Sequence, residues 1–181
     1  MAVYNTSSDS ANTAVRAFLT KVGEYYLGHS FNTGSGTGKR IWNEIRDNGF
    51  NSCCAYCGAS HLPLQIEHLF MFNRNEYGLH HPGNIVPCCK ECNKRSRNSD
   101  GNYLNWEEHL KAVCQNKSEE HLFEQRKSKI LSNFKKHGYP DLTDNEKNAI
   151  RVIANSLYEN IKTELDKSLN MYKDLDEAFI K

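Results

Sequence analysis

Two pairs of cysteines carry the strongest chemical signal in this sequence. Cys54 and Cys57 form one C-x-x-C unit, and Cys89 and Cys92 form a second. A C-x-x-C turn presents two thiolates to one tetrahedral ion, so two such turns predict a closed structural zinc site with four cysteine ligands. Each unit is preceded by a further cysteine, which leaves a C-x3-C register open. We favour the shorter spacing because it is the commoner knuckle and because Gly58 suits a tight turn directly after the first unit.

The other cysteines indicate the redox state of the cluster. The chain contains seven cysteines, and all but Cys114 lie between Cys53 and Cys92. An odd number of cysteines concentrated in one segment favours metal ligation by reduced thiols over a disulfide framework. Cys114 is expected to be a small core residue.

Polar residues with acid–base and metal-ligand chemistry lie between and beside the two units. Glu67 and His68 are adjacent, Asn84 precedes a second apolar run, and Asn93 follows the last cysteine ligand directly. A histidine supplies a base near neutral pH, and carboxylate and amide oxygens are hard ligands that suit Mg²⁺. Hydrolysis of a phosphodiester needs both a base to activate water and a cation to stabilise charge.

Two strands and a helix are predicted to position these groups. Alternating side chains at residues 64–69 predict one short strand, and the run at 84–87 predicts a second. Residues 89–97 contain no helix breaker and are expected to form a helix. The zinc site would connect these three elements.

These residues resemble an HNH nuclease, a member of the ββα-metal or His-Me finger group, in its H-N-N variant. The resemblance rests on Glu67-His68, Asn84 and Asn93 within the paired C-x-x-C frame, and it covers residues 54–98 of the 181. It implies that His68 is the general base, that Glu67 and Asn93 hold a catalytic Mg²⁺ or similar divalent ion, and that Asn84 orients the histidine or its strand. Neighbouring strand residues point to opposite faces, so the resemblance also implies a distorted strand end.

Two positions depart from the family pattern. The ligand before the histidine is often aspartate, and Glu67 is one methylene longer. The lysine that commonly follows the second knuckle by four residues is replaced by Ser96. Four other basic residues surround this position, and phosphate contacts are their expected use: Lys90, Lys94, Arg95 and Arg97.

A second basic pair follows a glycine-rich loop. Lys39 and Arg40 are assigned with the first group as nucleic-acid-binding residues. The loop is not a nucleotide-binding P-loop, because Thr33 and Arg40 stand where that motif needs glycine and serine or threonine. It is expected to be a flexible connection into a helix over residues 40–48.

Three other histidines lie near the motifs. His80 and His81 precede a Pro-Gly pair and are expected in a surface turn, with a place near the scissile phosphate as the alternative. His109 follows two glutamates and is expected on a solvated helix face, since consecutive helical residues face different sides.

Helices are predicted on both sides of this core. Residues 1–10 are expected to be a loose leader, and apolar residues at helical spacing predict a helix over 11–27 that stops at Gly28. Asn105 and Thr143, each followed three residues later by glutamate, predict later helix starts.

The last helix has an unusual predicted length. Apolar residues recur with a period close to 3.6 from Ile150 to Phe179. An unbroken helix from 144 to 179 would be about 54 Å long, which exceeds the roughly 40 Å expected for a compact chain of this size. We therefore expect it to kink or to extend along a partner subunit.

Composition and charge exclude several classes of protein. Hydrophobic residues make up 38% of the chain and charged residues 25%, so it can form a core. No apolar run approaches the roughly 18 residues of a membrane span, and the first residues do not resemble an export signal, so we expect a cytoplasmic protein without membrane contact. The net charge is only +1, so any nucleic-acid-binding field must be local.

The predicted fold class is α+β: a ββα-metal nuclease core stapled by the four-cysteine zinc site, with mostly α-helical flanks. Residues 1–50 form a helical N-terminal segment with a Gly-rich loop, 51–99 the core, and 100–181 a helical region for dimerisation or DNA recognition. The expected function is metal-dependent cleavage of double-stranded DNA, as a sequence-specific type II restriction enzyme acting as a homodimer. A nonspecific or structure-selective HNH nuclease of defence or mobile elements is the alternative. A non-catalytic zinc-knuckle module that binds nucleic acid is the further alternative.

Overall fold

The computed structural model describes residues 6–180. Helix α1 (Ser7–Leu27) begins after Thr6, whose side chain forms a reciprocal capping box with Asp9. Residues 7–10, expected to belong to a loose leader, are therefore helical, and residues 1–5 lie outside the described part of the chain. The helix ends as predicted at Gly28, which has a φ of 78° in the left-handed region.

The other helices flank the paired cysteines in sequence. They are α2 (Gly36–Glu44), which continues as a π-helical turn (Ile45–Gly49), α3 (Trp106–Asn116), α4 (Phe123–Lys136) and α5 (Asp144–Phe179). The predicted capping boxes are confirmed, with Asn105 and Glu108 at the start of α3 and Thr143 and Glu146 at the start of α5. Helix α5 is continuous over 36 residues, without an interruption.

Two short strands form an antiparallel sheet. Strand β1 (Leu64–His68) pairs with β2 (Ile85–Cys89), and His68 lies opposite Ile85. Both predicted strands are confirmed. An isolated two-stranded sheet is marginal in water, and β2 is buried along its whole length. Packing against the helices therefore stabilises the sheet.

The helix predicted over residues 89–97 is not present. The chain turns after β2, where the Asn93 amide donates to the Cys89 carbonyl at 3.0 Å, and then runs irregularly to an isolated bridge between Arg97 and Tyr103. The turn brings Cys89 and Cys92, the cysteines of the second unit, to the same side of the chain. The α+β class is confirmed. The first helix after β2 is α3, which begins later in the sequence than the predicted helix.

Two hydrophobic clusters form the core. One surrounds the sheet and the cysteine units and includes side chains of α2, α3 and α4, and the other joins α1 to α5 and includes Leu79. Residues 69–84 run between these clusters: the Tyr139 hydroxyl accepts from the Leu79 amide at 3.1 Å, and the Tyr77 hydroxyl donates to Asn155 of α5 at 3.1 Å. No helix within residues 6–180 is both long and apolar enough to cross a membrane.

Candidate metal centre and active-site cleft

The four cysteines of the C-x-x-C units meet at one buried point. The sulfurs of Cys54, Cys57, Cys89 and Cys92 all lie within 4.8 Å of one another. Zinc–sulfur bonds of about 2.3 Å place the sulfurs of a tetrahedral site about 3.8 Å apart, and the Cys57 and Cys89 sulfurs are 3.9 Å apart. The donor set and its spacing fit a structural zinc ion, in the shorter of the two registers.

The two neighbouring cysteines are outside this group of four. The Cys53 thiol donates to the Asn51 carbonyl at 3.3 Å, and the buried Cys88 thiol donates to the Cys89 carbonyl at 3.4 Å. The nearby Cys54 thiol raises the pKa of Cys88. Cys88 therefore lies beside the metal centre without belonging to the group of four sulfurs.

The crowded thiols favour a cation electrostatically. The Cys54 thiol raises the pKa of Cys57 to about 11, and Cys54, Cys57 and Cys88 together raise the pKa of Cys92. Four thiols this close cannot all ionise without a compensating positive charge. A divalent metal supplies that charge and reverses the direction of these shifts.

Side chains from α3 and α4 brace the two cysteine turns. His109 is buried, and its Nε2 lies 2.8 Å from the Cys92 carbonyl, so the expectation of a solvated His109 is wrong. Arg126 donates to the Cys57 carbonyl at 3.1 Å and to Glu119 at 2.8 Å. Residues after position 99 therefore complete the metal centre.

Three of the four predicted catalytic residues line one open cleft. Glu67, His68 and Asn93 border a cavity of about 490 Å³ next to the metal centre, together with Lys94 and Arg97. Strand β1 ends at His68, and the irregular backbone beyond it lets the adjacent Glu67 and His68 reach the same cleft. A larger cavity of about 760 Å³ lies between residues 70–77 and the start of α5, and none of the predicted site residues lines it.

Asn84 holds the loop that follows β1. Its Oδ1 accepts from the Phe70 amide at 2.8 Å, and its Nδ2 donates to the carbonyls of Phe70 at 3.0 Å and Leu79 at 2.8 Å. Its own carbonyl accepts from the Leu69 amide at 2.9 Å. Asn84 is fully buried and orients the chain next to His68 from outside the cleft.

His68 is paired with a second histidine. Its Nε2 lies 2.9 Å from Nδ1 of His80, and its ring stacks on Phe72 at a centroid distance of 4.7 Å. Burial, with smaller contributions from His80 and Arg95, lowers the pKa of His68 to about 3. The imidazole is therefore neutral at neutral pH, with a lone pair on one ring nitrogen and a lower proton affinity than a solvated histidine.

The expectation that His80 and His81 lie in a surface turn is wrong. His80 is half-buried against His68, while His81 is fully buried and its Nδ1 accepts from the Gly83 amide at 3.1 Å. His68 ends β1 and His80 lies outside any helix or strand, so no periodic pattern in the sequence indicates their contact.

Arg95 lies inside the protein and organises the strand end. Its side chain is only 3% exposed, and Nη2 donates to Glu67 Oε1 at 2.5 Å and to the carbonyls of His68 at 2.8 Å and Leu69 at 3.1 Å. Nη1 lies 3.4 Å from Glu76. The expectation that Arg95 is exposed and contacts phosphate is therefore wrong. Its guanidinium is buried because it binds three acceptors at the end of β1. Burial raises the pKa of Glu67, and Arg95 offsets part of that effect.

The remaining predicted residues differ in their distance from the cleft. Asn93 Nδ2 donates to Gln65 Oε1 at 2.8 Å, which leaves the Asn93 amide oxygen for a ligand. The Arg97 guanidinium stacks on the Tyr103 ring at 4.0 Å, and both residues, with Lys94, border the cleft. Three basic residues are exposed but do not border it: Lys90, Lys39 and Arg40.

Comparison with known proteins identifies no relative, since no family model, no curated protein and no solved structure matches the chain.

Proposed function

We propose that this protein is a divalent-metal-dependent endonuclease of the HNH type that hydrolyses phosphodiester bonds in double-stranded DNA. The observation that carries the proposal is the shared cleft, which brings together a neutral histidine, a carboxylate and a carboxamide beside a four-cysteine metal centre. These are the residue types that the hydrolysis of a phosphodiester needs. Asn84 supports them by holding the loop after β1.

His68 acts as the general base in this mechanism. If its Nε2–H donates to His80 Nδ1, the lone pair of His68 is at Nδ1. Within residues 6–180 no hydrogen-bond partner is found for that nitrogen, so it is the atom that accepts a proton from the attacking water. His80 is a positioning residue, because it selects the tautomer of His68 and holds its ring against Phe72.

Glu67 and Asn93 would hold the catalytic metal in the proposed site. A carboxylate and an amide oxygen are a suitable pair for Mg²⁺, which keeps several waters and accepts phosphate oxygens. Bound there, the ion would stabilise negative charge on the scissile phosphate and on the leaving oxygen. Arg95 donates to Glu67 Oε1, which would leave Oε2 for the ion, and this contact restricts the direction of the carboxylate.

The rim of the cleft supplies the contacts to the DNA backbone. Lys94 is exposed there, and Arg97 is held in place by its stacking on Tyr103. Cationic side chains next to a hydrolytic site bind phosphates independently of sequence. Within this class, a sequence-specific type II restriction enzyme acting in the cytoplasm is the narrower form of the proposal, because the core uses only part of the chain.

The experiment compares zinc-loaded wild type with two variants on defined linear DNA, with and without added Mg²⁺. His68→Ala is expected to lose cleavage by about 10²–10⁴-fold, while zinc content, thermal stability and DNA binding are retained. His61→Ala is the matched control, since His61 is exposed and does not border the cleft. It is expected to cut like wild type.

The pattern of products separates the alternatives. Discrete bands that need Mg²⁺ and His68 support a sequence-specific enzyme, whereas a Mg²⁺-dependent smear supports the nonspecific nuclease. Equal cleavage by wild type and His68→Ala would refute the assigned base. DNA binding without cleavage by any of the proteins would favour the zinc-knuckle binding module.

A further inference from the structure

Helix α5 is much longer than the helix that covers it. Helix α1 packs antiparallel along the first half of α5, with the Tyr26 hydroxyl 2.8 Å from Glu146 near the start of α5. Residues of α5 buried in this contact are Ile150, Ala154 and Tyr158. The two helices have 21 and 36 residues, so at 1.5 Å per residue α5 extends roughly 22 Å beyond α1.

The half of α5 that extends beyond α1 carries an apolar stripe. We call its five main members the distal stripe, and they are Leu165 (42% exposed), Leu169 (52%), Tyr172 (59%), Leu175 (49%) and Phe179 (82%). At 100° per residue these side chains fall within about 120° of the helix circumference. Tyr158, buried in the contact with α1, lies on the same side. The stripe therefore continues a face that α1 covers only in part.

An unsupported apolar helix of this length is unfavourable in water. Isolated helices shorter than about 12–15 residues are marginal, and the exposed stripe would solvate several large apolar side chains at once. Asp176 falls within the arc of the stripe, and the other charged residues of this segment are of both signs and lie on its other faces. A partner with an apolar helical face of the same length would bury the side chains of the stripe.

We propose that the distal stripe binds the distal stripe of a second copy of this chain, with the two α5 helices antiparallel about a two-fold axis near residue 170. The seam positions advance by alternating steps of four and three residues, as in a helix pair packed knobs-into-holes. They are Leu165, Ser168, Tyr172, Leu175 and Phe179.

The sizes of the seam residues favour the antiparallel arrangement. With the axis near 170, Leu165 of one copy lies opposite Leu175 of the other, and the single small residue, Ser168, lies opposite Tyr172. In a parallel pair each residue would meet its own copy, so two serines would leave a gap and two tyrosines would crowd the seam. The stripe is thus complementary to itself only when reversed.

The available area is enough for a stable dimer. Seven apolar side chains take part if Met171 (62% exposed) and Ile180 (69%), which flank the stripe, are included. With about 200 Å² for each fully exposed side chain, they offer roughly 800 Å² per copy, the size of a standard protein–protein interface. The inference is independent of the proposed nuclease reaction.

The experiment is sedimentation equilibrium of the full zinc-loaded chain from 1 to 100 µM, without DNA or Mg²⁺. Wild type is expected to be a dimer, and Leu165→Glu and Leu175→Lys are each expected to raise the dimer dissociation constant by at least about 100-fold, because each places an unpaired charge in the seam. Val152→Glu is the matched control. Val152 is 56% exposed on the opposite side of the same helix, and its variant is expected to dimerise like wild type.

The double variant tests the direction of the helices. Leu165→Glu with Leu175→Lys places opposite charges face to face twice in the antiparallel dimer, so its association is expected to recover at least about tenfold relative to either single variant. Zinc content and near-ultraviolet circular dichroism confirm that each variant is folded. A monomeric wild type at 100 µM, or a Leu165→Glu protein that dimerises like wild type, would overturn the proposal. A folded double variant that associates no better than the single variants would overturn the antiparallel arrangement.

Discussion

Replacing Arg95 by methionine removes the charge that compensates Glu67 at the end of β1. The side chains of Arg95 and Glu67 are 3% and 13% exposed, and the guanidinium also serves the carbonyls of His68 and Leu69. Removing one member of a buried ion pair costs about 3–5 kcal/mol, because the remaining charge has no compensation. Methionine retains most of the side-chain volume, so the loss of free energy of unfolding measures the ionic contacts.

A double-mutant cycle isolates the pair. Glu67→Gln removes the carboxylate charge, and in the double variant Arg95→Met with Glu67→Gln no buried charge remains unpaired at this position. The double variant is therefore expected to be at least about 1.5 kcal/mol more stable than the sum of the two single effects. The assay is urea unfolding of the zinc-loaded protein at pH 7 and 25 °C, followed by tryptophan fluorescence.

The control is Arg97→Met, which removes an exposed guanidinium stacked on Tyr103. Its expected cost is below about 1 kcal/mol. Two results would contradict the reasoning: a cost below about 1 kcal/mol for Arg95→Met, or single effects that add within about 0.5 kcal/mol. Either would mean that Arg95 does not compensate Glu67 in the folded protein.

The remaining predictions concern the metal centre, acid stability and the DNA contacts. Cys89→Ser is expected to lose zinc and unfold, whereas Cys88→Ala is expected to keep one zinc per chain, as measured by mass spectrometry. Zinc loss by Cys88→Ala but not by Cys89→Ser would support the longer C-x3-C register. Burial lowers the pKa of His81 to about 4, so between pH 6.5 and 4 the unfolded state binds more protons and stability falls with acid by up to about 1.4 kcal/mol per pH unit. His68, whose pKa is also lowered by burial, contributes a slope of the same sign. His81→Asn, which keeps an acceptor for the backbone amide, is therefore expected to reduce the slope of urea-unfolding stability over this range by up to about 1.4 kcal/mol per pH unit, and an unchanged slope would exclude a contribution from His81. Lys94→Ala is expected to weaken DNA binding and to lower the slope of the logarithm of the DNA-binding constant against log salt by about 1, whereas Lys39→Ala is expected to bind like wild type. Both are measured by fluorescence anisotropy. Equal effects of the two substitutions would argue against the cleft as the DNA site.

Features that depend on nearby residues were predictable from the sequence. The C-x-x-C spacing indicates which sulfurs can meet, since a short turn determines the geometry within each pair. Capping residues such as Asn105 and Thr143 bond to amides three positions away, so they mark helix starts directly. The alternation that predicts β1 and the 3.6-residue period of α5 follow from the same local geometry.

The environment of the cleft depended on the tertiary structure. The basic run after Cys92 has the pattern of an exposed phosphate-binding segment, yet Arg95 is buried because the end of β1 presents a carboxylate and two carbonyls to it. His80 and His109 have buried partners that are 12 and 17 residues distant in sequence. No periodicity relates such pairs.

The sequence by itself determined the four candidate ligands of the metal centre, the helix boundaries set by caps, and the set of residues on which the proposed phosphodiester hydrolysis rests. Only the tertiary structure decided that Glu67, His68 and Asn93 share a cleft, that Arg95 holds Glu67, and that α5 extends beyond α1 with large apolar side chains exposed. The physical reason is the range of the interactions. Turns and caps are set by neighbouring residues, whereas burial and charge compensation depend on which distant segments the fold brings together.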